Sequence, residues 1–351
     1  MRLRQRLVDL GKLTVAHTLY GLGLLRLWQR LVLRRRAVVL MYHRVLTPAE
    51  QAASGSHPAL VVDPDTFNRQ MDVLKRWFRV LSVAELADHM ERGVPLPDCS
   101  CVITSDDGWI DNFHHMLPIL RAHGLPALVF LPVNYIGTRR LFWQEALTHL
   151  LLRAVQLVRH DPARRPSLAR VLDPAGLGEV LDVTDGDPRP AILARLGAQK
   201  ERGRAAVTSL LEALASALDV PLEGLSEVDG FINWTQADEM ARQGVTFGGH
   251  GAEHLLLTQV EPGDIEHELG TARDVLARRF PAMPLTYSYP NGYYTADVVD
   301  RTRAAGYRLG FITRRGFVRH DDPPLEVKRL NIHQPATRTT PLFLARVLGL
   351  W

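Results

Sequence analysis

The stretch Cys101-Val102-Ile103-Thr104-Ser105-Asp106-Asp107-Gly108 is a short apolar run that ends in two acidic residues and a glycine. Similar apolar runs occupy residues 37–41, 127–131, 245–248, 285–289 and 308–312, and helical patterns separate most of them. Alternating strands and helices are typical of a parallel sheet. We therefore predict an α/β fold whose parallel sheet is either open or closed into a barrel.

Polar residues follow directly after four of these predicted strands. They are His43, the pair Asp106 and Asp107, the pair His250 and His254, and the segment 289–292. In a parallel barrel, the carboxyl ends of the strands form the face on which active sites are built. The pattern predicts that these side chains share one site.

Two histidines four residues apart, His250 and His254, suggest a metal site. If the chain turns helically after the strand, both imidazoles point the same way and can share one ion. Among 14 histidines this spacing can also arise by chance, as two solvated residues on a helix. Together with Asp106 and Asp107, the histidines would leave open positions for a water and a substrate oxygen.

These segments resemble motifs of the polysaccharide deacetylase family (carbohydrate esterase family 4, the NodB homology domain). Residues 104–108 resemble its T-F-D-D-G motif, residues 250–254 its H-[S/T]-x-x-H element, and residues 287–292 its third motif. Residues 109–112, 117–120 and 123–127 look similar as well, and residues 41–45 resemble the opening of a bacterial subgroup. The resemblance implies a distorted (β/α) barrel of the NodB type.

The resemblance also implies a role for each site residue. Asp106 would be the general base, and Asp107, His250 and His254 would hold a divalent metal, usually zinc. The backbone N–H near Tyr289 would help to stabilise the oxyanion. Trp109, Pro290 and Asn291 would contact the substrate, an N-acetylated carbohydrate.

Three positions depart from the family pattern. Ser105 replaces the usual phenylalanine, a change in packing that we expect to be mild. Gly251 replaces a serine or threonine whose hydroxyl could orient the loop. The third motif lacks the arginine often found just before its proline, which in relatives pairs with the base, so the tuning of Asp106 is left open, although subgroups with a Y-P-x-G form share this lack.

The general acid, which must protonate the leaving amine, has two candidates. His333 lies in Leu330-Asn331-Ile332-His333, an imperfect match to an L-x-H motif of relatives. His43 follows the first core strand and should lie on the same face as Asp106 and His250. An imidazole with an ordinary pKa near about 6.5 suits either role. We favour His43, and a purely orienting role for its side chain stays open.

The chain divides into four predicted regions. Residues 1–36 form a basic N-terminal arm, and residues 37–137 with 229–335 form the deacetylase domain. Residues 138–228 are rich in Leu, Ala and Arg and predict a helical insertion, whereas 336–351 form a C-terminal tail.

The N-terminal arm carries most of the excess positive charge, since nine of its residues are basic and only Asp9 is acidic. Its apolar run, residues 13–25, is short for a membrane span and is followed by no recognisable signal-peptide cleavage site. We predict a basic amphipathic helix on an anionic membrane surface, with packing against the protein's own body as the alternative. The predicted location is therefore cytoplasmic or at the inner membrane.

Composition excludes some partners. The rest of the chain is slightly acidic, which argues against binding of nucleic acid by the folded body. The two cysteines, Cys99 and Cys101, are too close in sequence for an ordinary disulfide, and a reduced setting is expected.

The leading interpretation is a metal-dependent hydrolase that removes N-acetyl groups from a polysaccharide or lipid-linked glycan. One alternative keeps the metal site but attacks another C–N bond, in a formyl-sugar or a cyclic amide. Another is a carbohydrate-binding homologue without turnover. An iron oxygenase also uses two histidines and a carboxylate, but the adjacent Asp106 and the family resemblance outweigh it.

Overall fold

The computed structural model describes residues 2–351, with side chains described from Val8 onward. The chain divides into two compact units. The first consists of Met1–Thr47, Pro58–Gly137 and Phe231–Trp351, and the second of Pro48–His57 and Thr138–Gly230. The segment 138–228, predicted as a helical insertion, falls within the second unit. Every predicted site residue lies in the first unit.

A parallel sheet forms the centre of the first unit. Its order is β10-β9-β8-β7-β6-β5-β1-β11, with β4 also paired to β5, and every ladder is parallel. A separate parallel pair joins β2 and β3. The strands are β1 Ala37–Tyr42, β2 Arg44–Val45, β3 Val61–Val62, β4 Arg79–Val80, β5 Ser100–Ser105, β6 Ala127–Leu131, β7 Val245–Gly249, β8 Thr286–Ser288, β9 Leu309–Ile312, β10 Val327–Lys328 and β11 Leu330–Asn331.

The two edges of this sheet come together at Arg329. Strand β10 pairs with β9 at one edge and β11 pairs with β1 at the other, yet only Arg329 separates β10 from β11 in sequence. The sheet is therefore a nearly closed (β/α) barrel. The predicted fold class is confirmed.

Alternation along the strands decides which side chains share the site. On one side of β1 and β5, Leu40 and Ile103 pack into an apolar cluster with surrounding helices. On the other side, Val39 and Val102 pack with Phe130 of β6. Because successive side chains point to opposite faces, residues two and four positions after Val39 and Val102 follow this second face toward the carboxyl ends of the strands.

Helices surround the sheet in the first unit and form the body of the second. They are α1 Arg2–Gly21, α2 Leu24–Val32, α3 Pro48–Ala53, α4 Pro64–Trp77, α5 Val83–Glu91, α6 Leu117–His123, α7 Trp143–His160, α8 Arg165–Leu172, α9 Arg189–Gln199, α10 Arg204–Leu218, α11 Trp234–Arg242, α12 Pro262–Arg279, α13 Ala296–Ala304, α14 Gln334–Thr337 and α15 Thr340–Val347. Among the described residues, no helix combines the length and apolarity needed to cross a membrane.

The second unit has an apolar core of its own, built by side chains such as Leu150, Leu172 and Leu214 from α7, α8 and α10. Asp229 holds residues 48–57 within this unit. Its carboxylate accepts hydrogen bonds from Ser54 Oγ at 2.6 Å and the Gly55 N–H at 2.7 Å, and lies 2.7 Å from His149 Nε2.

The N-terminal segment packs against other parts of the first unit, to which it belongs. Ala16 of α1 is buried with Leu342 and Ala345 of α15. Leu25 and Leu33 join the main apolar cluster. The predicted arm is therefore part of the folded body along one side, which was the alternative to membrane contact, and removal of residues 1–33 would open the core.

The predicted C-terminal tail is also part of the core. Helix α15 lies between residues 340 and 347, and its Phe343, Leu344 and Val347 are buried in the same cluster as Leu40 of β1. The sequence Leu342-Phe343-Leu344 supplies enough apolar surface to hold this segment against the barrel. The region predicted as a tail, residues 336–351, thus includes a buried helix.

Candidate metal centre

Three side chains converge where β5 and β7 end. Asp107 Oδ1 lies 3.5 Å from His250 Nε2 and 3.6 Å from His254 Nε2. One donor atom from each residue lies within 4.8 Å of the others. Asp107 and His250 are buried, and His254 keeps a small exposed surface. The structure thus brings together the three residues predicted as metal ligands.

The histidines converge without the helical turn that the sequence predicted. Residues 250–256 form no helix, and His254 has a φ of 55°. Asp107 has a φ of 77°, also in the left-handed region that non-glycine residues seldom adopt. Two of the three donors therefore sit on strained backbone, a feature that concentrates at functional sites.

The donor set fits a divalent cation. Tetrahedral zinc with bonds of about 2.0–2.2 Å places neighbouring donor atoms about 3.4 Å apart, close to the separations of 3.5 and 3.6 Å. His250 Nδ1 lies 2.7 Å from the Ser288 carbonyl oxygen, which fixes Nδ1 as the protonated nitrogen and leaves Nε2 as the donor. Burial, with the neighbouring Asp106, raises the pKa of Asp107 to about 7. A bound cation would offset that penalty.

Asp106 is held by an arginine that the sequence analysis missed. Arg329 Nη1 donates to Asp106 Oδ1 at 2.6 Å and Nη2 to Oδ2 at 2.8 Å. Nη2 also donates to Ser288 Oγ at 2.7 Å. Burial alone would raise the pKa of Asp106, but the charge of the Arg329 guanidinium holds it well below its usual range. Asp106 is therefore an ionised, oriented carboxylate, 3.9 Å from His250 Nε2.

Trp109 supports Asp107 and does not face a substrate. Its indole is 1% exposed, and its Nε1 donates to Asp107 Oδ2 at 2.9 Å. The ring stacks on Phe231, and the Arg44 guanidinium lies over it at 4.2 Å from the centroid. Arg44 is in turn paired with the buried Asp111. Buried in this way, the Trp109 side chain offers almost no surface for the substrate contact that was predicted.

Ser105 belongs to the same support. Its Oγ donates to the His43 carbonyl oxygen at 3.2 Å and lies 3.1 Å from Asn112 Oδ1. Asn112 Nδ2 donates to the same carbonyl at 2.9 Å. The replacement of phenylalanine by serine is therefore a polar change that fixes the backbone at His43, rather than a mild change in packing.

The two candidate general acids, His43 and His333, follow strands β1 and β11, which end at the same end of the barrel. Met41 of β1 pairs with Asn331 of β11, and the Ile332 N–H continues this ladder to the Met41 carbonyl oxygen. His43 and His333 follow two residues after the paired positions. Strand alternation directs both toward the face that carries Asp106.

Burial changes the chemistry expected of His43. It lowers the pKa of His43 to about 4, against a smaller raising effect of the Asp106 charge. His43 Nδ1 has no hydrogen-bond partner among the described residues. The imidazole is therefore neutral at pH 7, contrary to the ordinary pKa that the sequence analysis assumed.

The third motif contributes less than predicted. Tyr289 is fully buried, and its backbone N–H already donates to the Phe311 carbonyl oxygen at 3.1 Å. The N–H of Tyr289 itself is therefore engaged in the sheet. Pro290 is buried as well, which removes it as a substrate contact. Asn291 is partly exposed, with a φ of 55°, and next to it along the turn Tyr293 is 52% exposed.

Sequence comparison gives a match to one family. The sequence model of the family described as "Polysaccharide deacetylase" matches residues 204–310. YxkH of Bacillus subtilis (strain 168), whose provisional name is that of a polysaccharide deacetylase, is 25% identical over 97 residues. That alignment covers 28% of this chain and spans 35% of the relative, about a third of its length.

Solved structures share the fold at low identity. The Streptococcus pyogenes deacetylase PplD, determined in complex with acetate, has a TM-score of 0.56 at 18% identity and covers 90% of this chain and 98% of its own. IcaB from Ammonifex degensii has a TM-score of 0.56 at 17% identity, with coverage of 90% and 97%. The polysaccharide deacetylase model thus matches residues 204–310 of the chain, and the solved deacetylase structures share its fold.

Proposed function

We propose that this protein is a metal-dependent hydrolase that removes N-acetyl groups from a polysaccharide or lipid-linked glycan. The observation that carries the proposal is the position of Asp106. Its ionised carboxylate, clamped by Arg329, lies beside three converging donor atoms that suit zinc. Hydrolysis of an amide at neutral pH requires this combination of a strong nucleophile and a base that accepts its proton.

The chain's own residues support each step of the hydrolysis. A divalent ion held by Asp107, His250 and His254 would polarise the amide carbonyl and lower the pKa of a water. Asp106 accepts the proton of that water as its oxygen adds to the carbonyl carbon. The C–N bond then breaks, the amine leaves with a proton from a histidine, and acetate is released.

The substrate class rests on the family and on exposed groups at the barrel's carboxyl end. Asn291 and Tyr293 follow β8, the strand that pairs with β7, and Tyr293 is 52% exposed. A sugar ring can pack against such an exposed aromatic face. PplD, which shares the fold, was determined with acetate, the product expected from an N-acetyl group.

The decisive assay is acetate release from N-acetylglucosamine oligomers. We expect activity in the zinc-loaded protein, its loss after chelation, and its return with added zinc. His250→Ala and His254→Ala should lose both bound metal and activity, whereas His267→Ala, which removes an exposed histidine of α12, should retain both. Full metal occupancy in the double variant His250→Ala/His254→Ala would refute the ligand assignment.

We also propose that α2 contacts an anionic membrane surface. Leu24, Leu27, Trp28 and Leu31 lie at the i, i+3, i+4, i+7 spacing of one helix face, and each is more than 40% exposed. Leu25 and the buried Gln29 pack on the body from the opposite face, and Trp28 Nε1 donates a hydrogen bond to the Leu348 carbonyl oxygen at 3.2 Å. Arg30 and residues 34–36 add positive charge beside this stripe, which suits anionic lipid headgroups.

Vesicle sedimentation tests this contact in the full-length protein. We expect binding to phosphatidylglycerol vesicles, weaker binding to phosphatidylcholine vesicles, and loss of binding in Leu27→Gln/Leu31→Gln. Val94→Gln is the matched control, because Val94 is also an exposed apolar residue but lies outside α2. Equal binding by the double variant and the control would refute the proposal. Equal binding of the wild-type protein to phosphatidylglycerol and phosphatidylcholine vesicles would refute it as well.

A further inference from the structure

Glu268 of α12 is a fully buried carboxylate next to the loop that carries both histidines. Its Oε1 accepts a hydrogen bond from the Glu253 N–H at 2.9 Å, and its Oε2 accepts from the same N–H at 3.1 Å and from the Leu255 N–H at 3.3 Å. Among the described residues, no lysine or arginine pairs with it. Burial of a carboxylate without a countercharge is costly. This cost indicates that the hydrogen bonds of Glu268 to the loop have a function.

The two N–H groups that it binds flank His254. Glu253 and Leu255 are the immediate neighbours of this histidine, whose own φ is 55°. A non-glycine residue in this conformation costs about 1–3 kcal/mol and persists only where its surroundings hold it. Glu268 supplies such a hold on both sides of the strained residue.

Gly251 makes room for the carboxylate. A Cβ atom at this position would lie 2.3 Å from Glu268 Oε2, and its φ of 84° also favours glycine. A serine or threonine here, as in the family pattern, would require the Glu268 carboxylate to move away from its present position. The departure at Gly251 and the position of Glu268 are therefore linked, because the carboxylate occupies the space that a Cβ atom at residue 251 would need.

The other side of the loop is held by residues that follow β6. The Val133 N–H donates to the Gly251 carbonyl oxygen at 3.1 Å, and the Asn134 N–H donates to the Ala252 carbonyl oxygen at 3.0 Å. These bonds satisfy carbonyl groups, whereas Glu268 satisfies N–H groups. Glu268 thus supplies the acceptor oxygens for the N–H groups of Glu253 and Leu255 in this loop.

We propose that Glu268 is a positioning residue that sets the backbone of residues 251–255 so that His250 and His254 can bind one metal ion. The inference rests on the proposed metal-dependent function. Glu268 lies outside the family motifs and does not contact the side chains of His250 and His254. It orients these two ligands through the backbone of the loop. Outer groups of this kind typically contribute about 10–100-fold to metal affinity.

The test is a Co²⁺ competition titration against a chelator, followed by the visible absorption of the bound ion. Glu268→Gln keeps the size of the side chain but replaces one acceptor oxygen with an NH₂ group that faces N–H donors. Glu268→Asp keeps the charge but withdraws the carboxylate from the loop. We expect both variants to bind Co²⁺ about 10–100-fold more weakly, with an altered absorption spectrum.

Glu266→Gln is the matched control, since Glu266 lies on the same helix but is exposed and pairs with Arg301. Each titration is performed under conditions in which circular dichroism shows the variant to be folded. A loss of stability alone then does not change the measured metal affinity. Wild-type affinity and spectrum in either folded Glu268 variant would overturn the inference. Failure of the wild-type protein itself to bind Co²⁺ or Zn²⁺ would instead overturn the proposed function.

Discussion

Arg329 and Asp106 form a fully buried, two-pronged ion pair, with N–O distances of 2.6 and 2.8 Å. Arg329 is also the single residue between β10 and β11, where the two edges of the barrel sheet meet. One side chain therefore both sits at the closure of the barrel and orients the proposed base. The base and the arginine that holds it are 223 residues apart in sequence.

Arg329→Lys should lower turnover by about 10²-fold, because a lysine keeps the charge but cannot hold both oxygens of Asp106, and a misplacement of about 1 Å can cost that much. Metal content should stay near wild type, since Arg329 contacts none of the three proposed ligands. Acetate release and metal analysis on the same preparation measure both quantities. Arg308→Lys is the control, as Arg308 makes a similar pair with the exposed Glu91. Equal activity in both variants would mean that the Arg329 fork has no role in turnover.

Asp106→Asn should retain the metal and lose about 10²–10⁴-fold in turnover, the usual contribution of a positioned base. It also leaves the Arg329 charge buried without its partner, which costs about 3–5 kcal/mol. Thermal unfolding must therefore accompany the assay, so that turnover is compared at a temperature where the variant is folded. Loss of metal from the folded variant would show that the two adjacent aspartates have exchanged roles.

Trp109→Phe should weaken metal binding by about 10-fold, because it removes the indole N–H that donates to Asp107 while it keeps an aromatic ring between Arg44 and Phe231. Competition titration with a chelator measures the change. Trp234→Phe is a matched control, since Trp234 also has an arginine over its ring but contacts no proposed ligand. A larger loss of affinity in the control would contradict the role given to the Trp109 N–H.

Buried parallel strands leave apolar runs in a sequence, and these runs predicted the parallel sheet and the convergence of Asp107, His250 and His254 at its carboxyl ends. Such runs predicted strands β1 and β5 to β9 of the barrel wall. The closure of the sheet into a barrel was implied by the family resemblance. Strands β10 and β11 are only two residues each, so nothing in the run around Arg329 marked it as the closing segment. The missing partner of Asp106 was therefore assigned to no residue.

Burial was the second property that the sequence concealed. Trp109 follows an acidic turn, where an exposed aromatic residue would suit a sugar, and only the packing of Phe231 and Arg44 reveals that it is enclosed. The spacing of His250 and His254 predicted a helical turn, but positive φ angles at Gly251 and His254 achieve the same convergence. Such angles depend on contacts with distant residues such as Glu268, which local pattern cannot reveal.

Turnover in His333→Ala should fall more than in His43→Ala, by about 10²–10⁴-fold for the residue that acts as general acid. Burial lowers the pKa of His43 to about 4, so few molecules carry a proton there at pH 7. The basic limb of the pH–rate profile should disappear in the variant that lacks the acid. Near-normal turnover in His333→Ala, with the loss in His43→Ala, would return the role to His43.

His43 should also make the metal-free protein less stable as the pH falls. The folded-state pKa of about 4 lies below the unfolded value of about 6.5. Above pH 6.5 the imidazole is neutral in both states and has no effect. Between pH 6.5 and 4 the imidazole of the unfolded chain binds a proton, whereas that of the folded chain does not. The stability therefore decreases as the pH is lowered, and the loss is complete below pH 4.

The size of this loss follows from the same two values. A difference of 2.5 units corresponds to about 3 kcal/mol, and the partial exposure of His43 makes this an upper bound. His43→Asn removes the titrating group, so urea unfolding should find the variant gaining stability relative to wild type between pH 6.5 and 4. Groups remote from His43 contribute equally in both proteins and cancel in the difference. In His267→Asn, which replaces an exposed histidine, the difference from wild type should stay constant with pH. A constant difference in His43→Asn as well would mean that the His43 pKa is not lowered, and the case for His43 as the proton donor would revive.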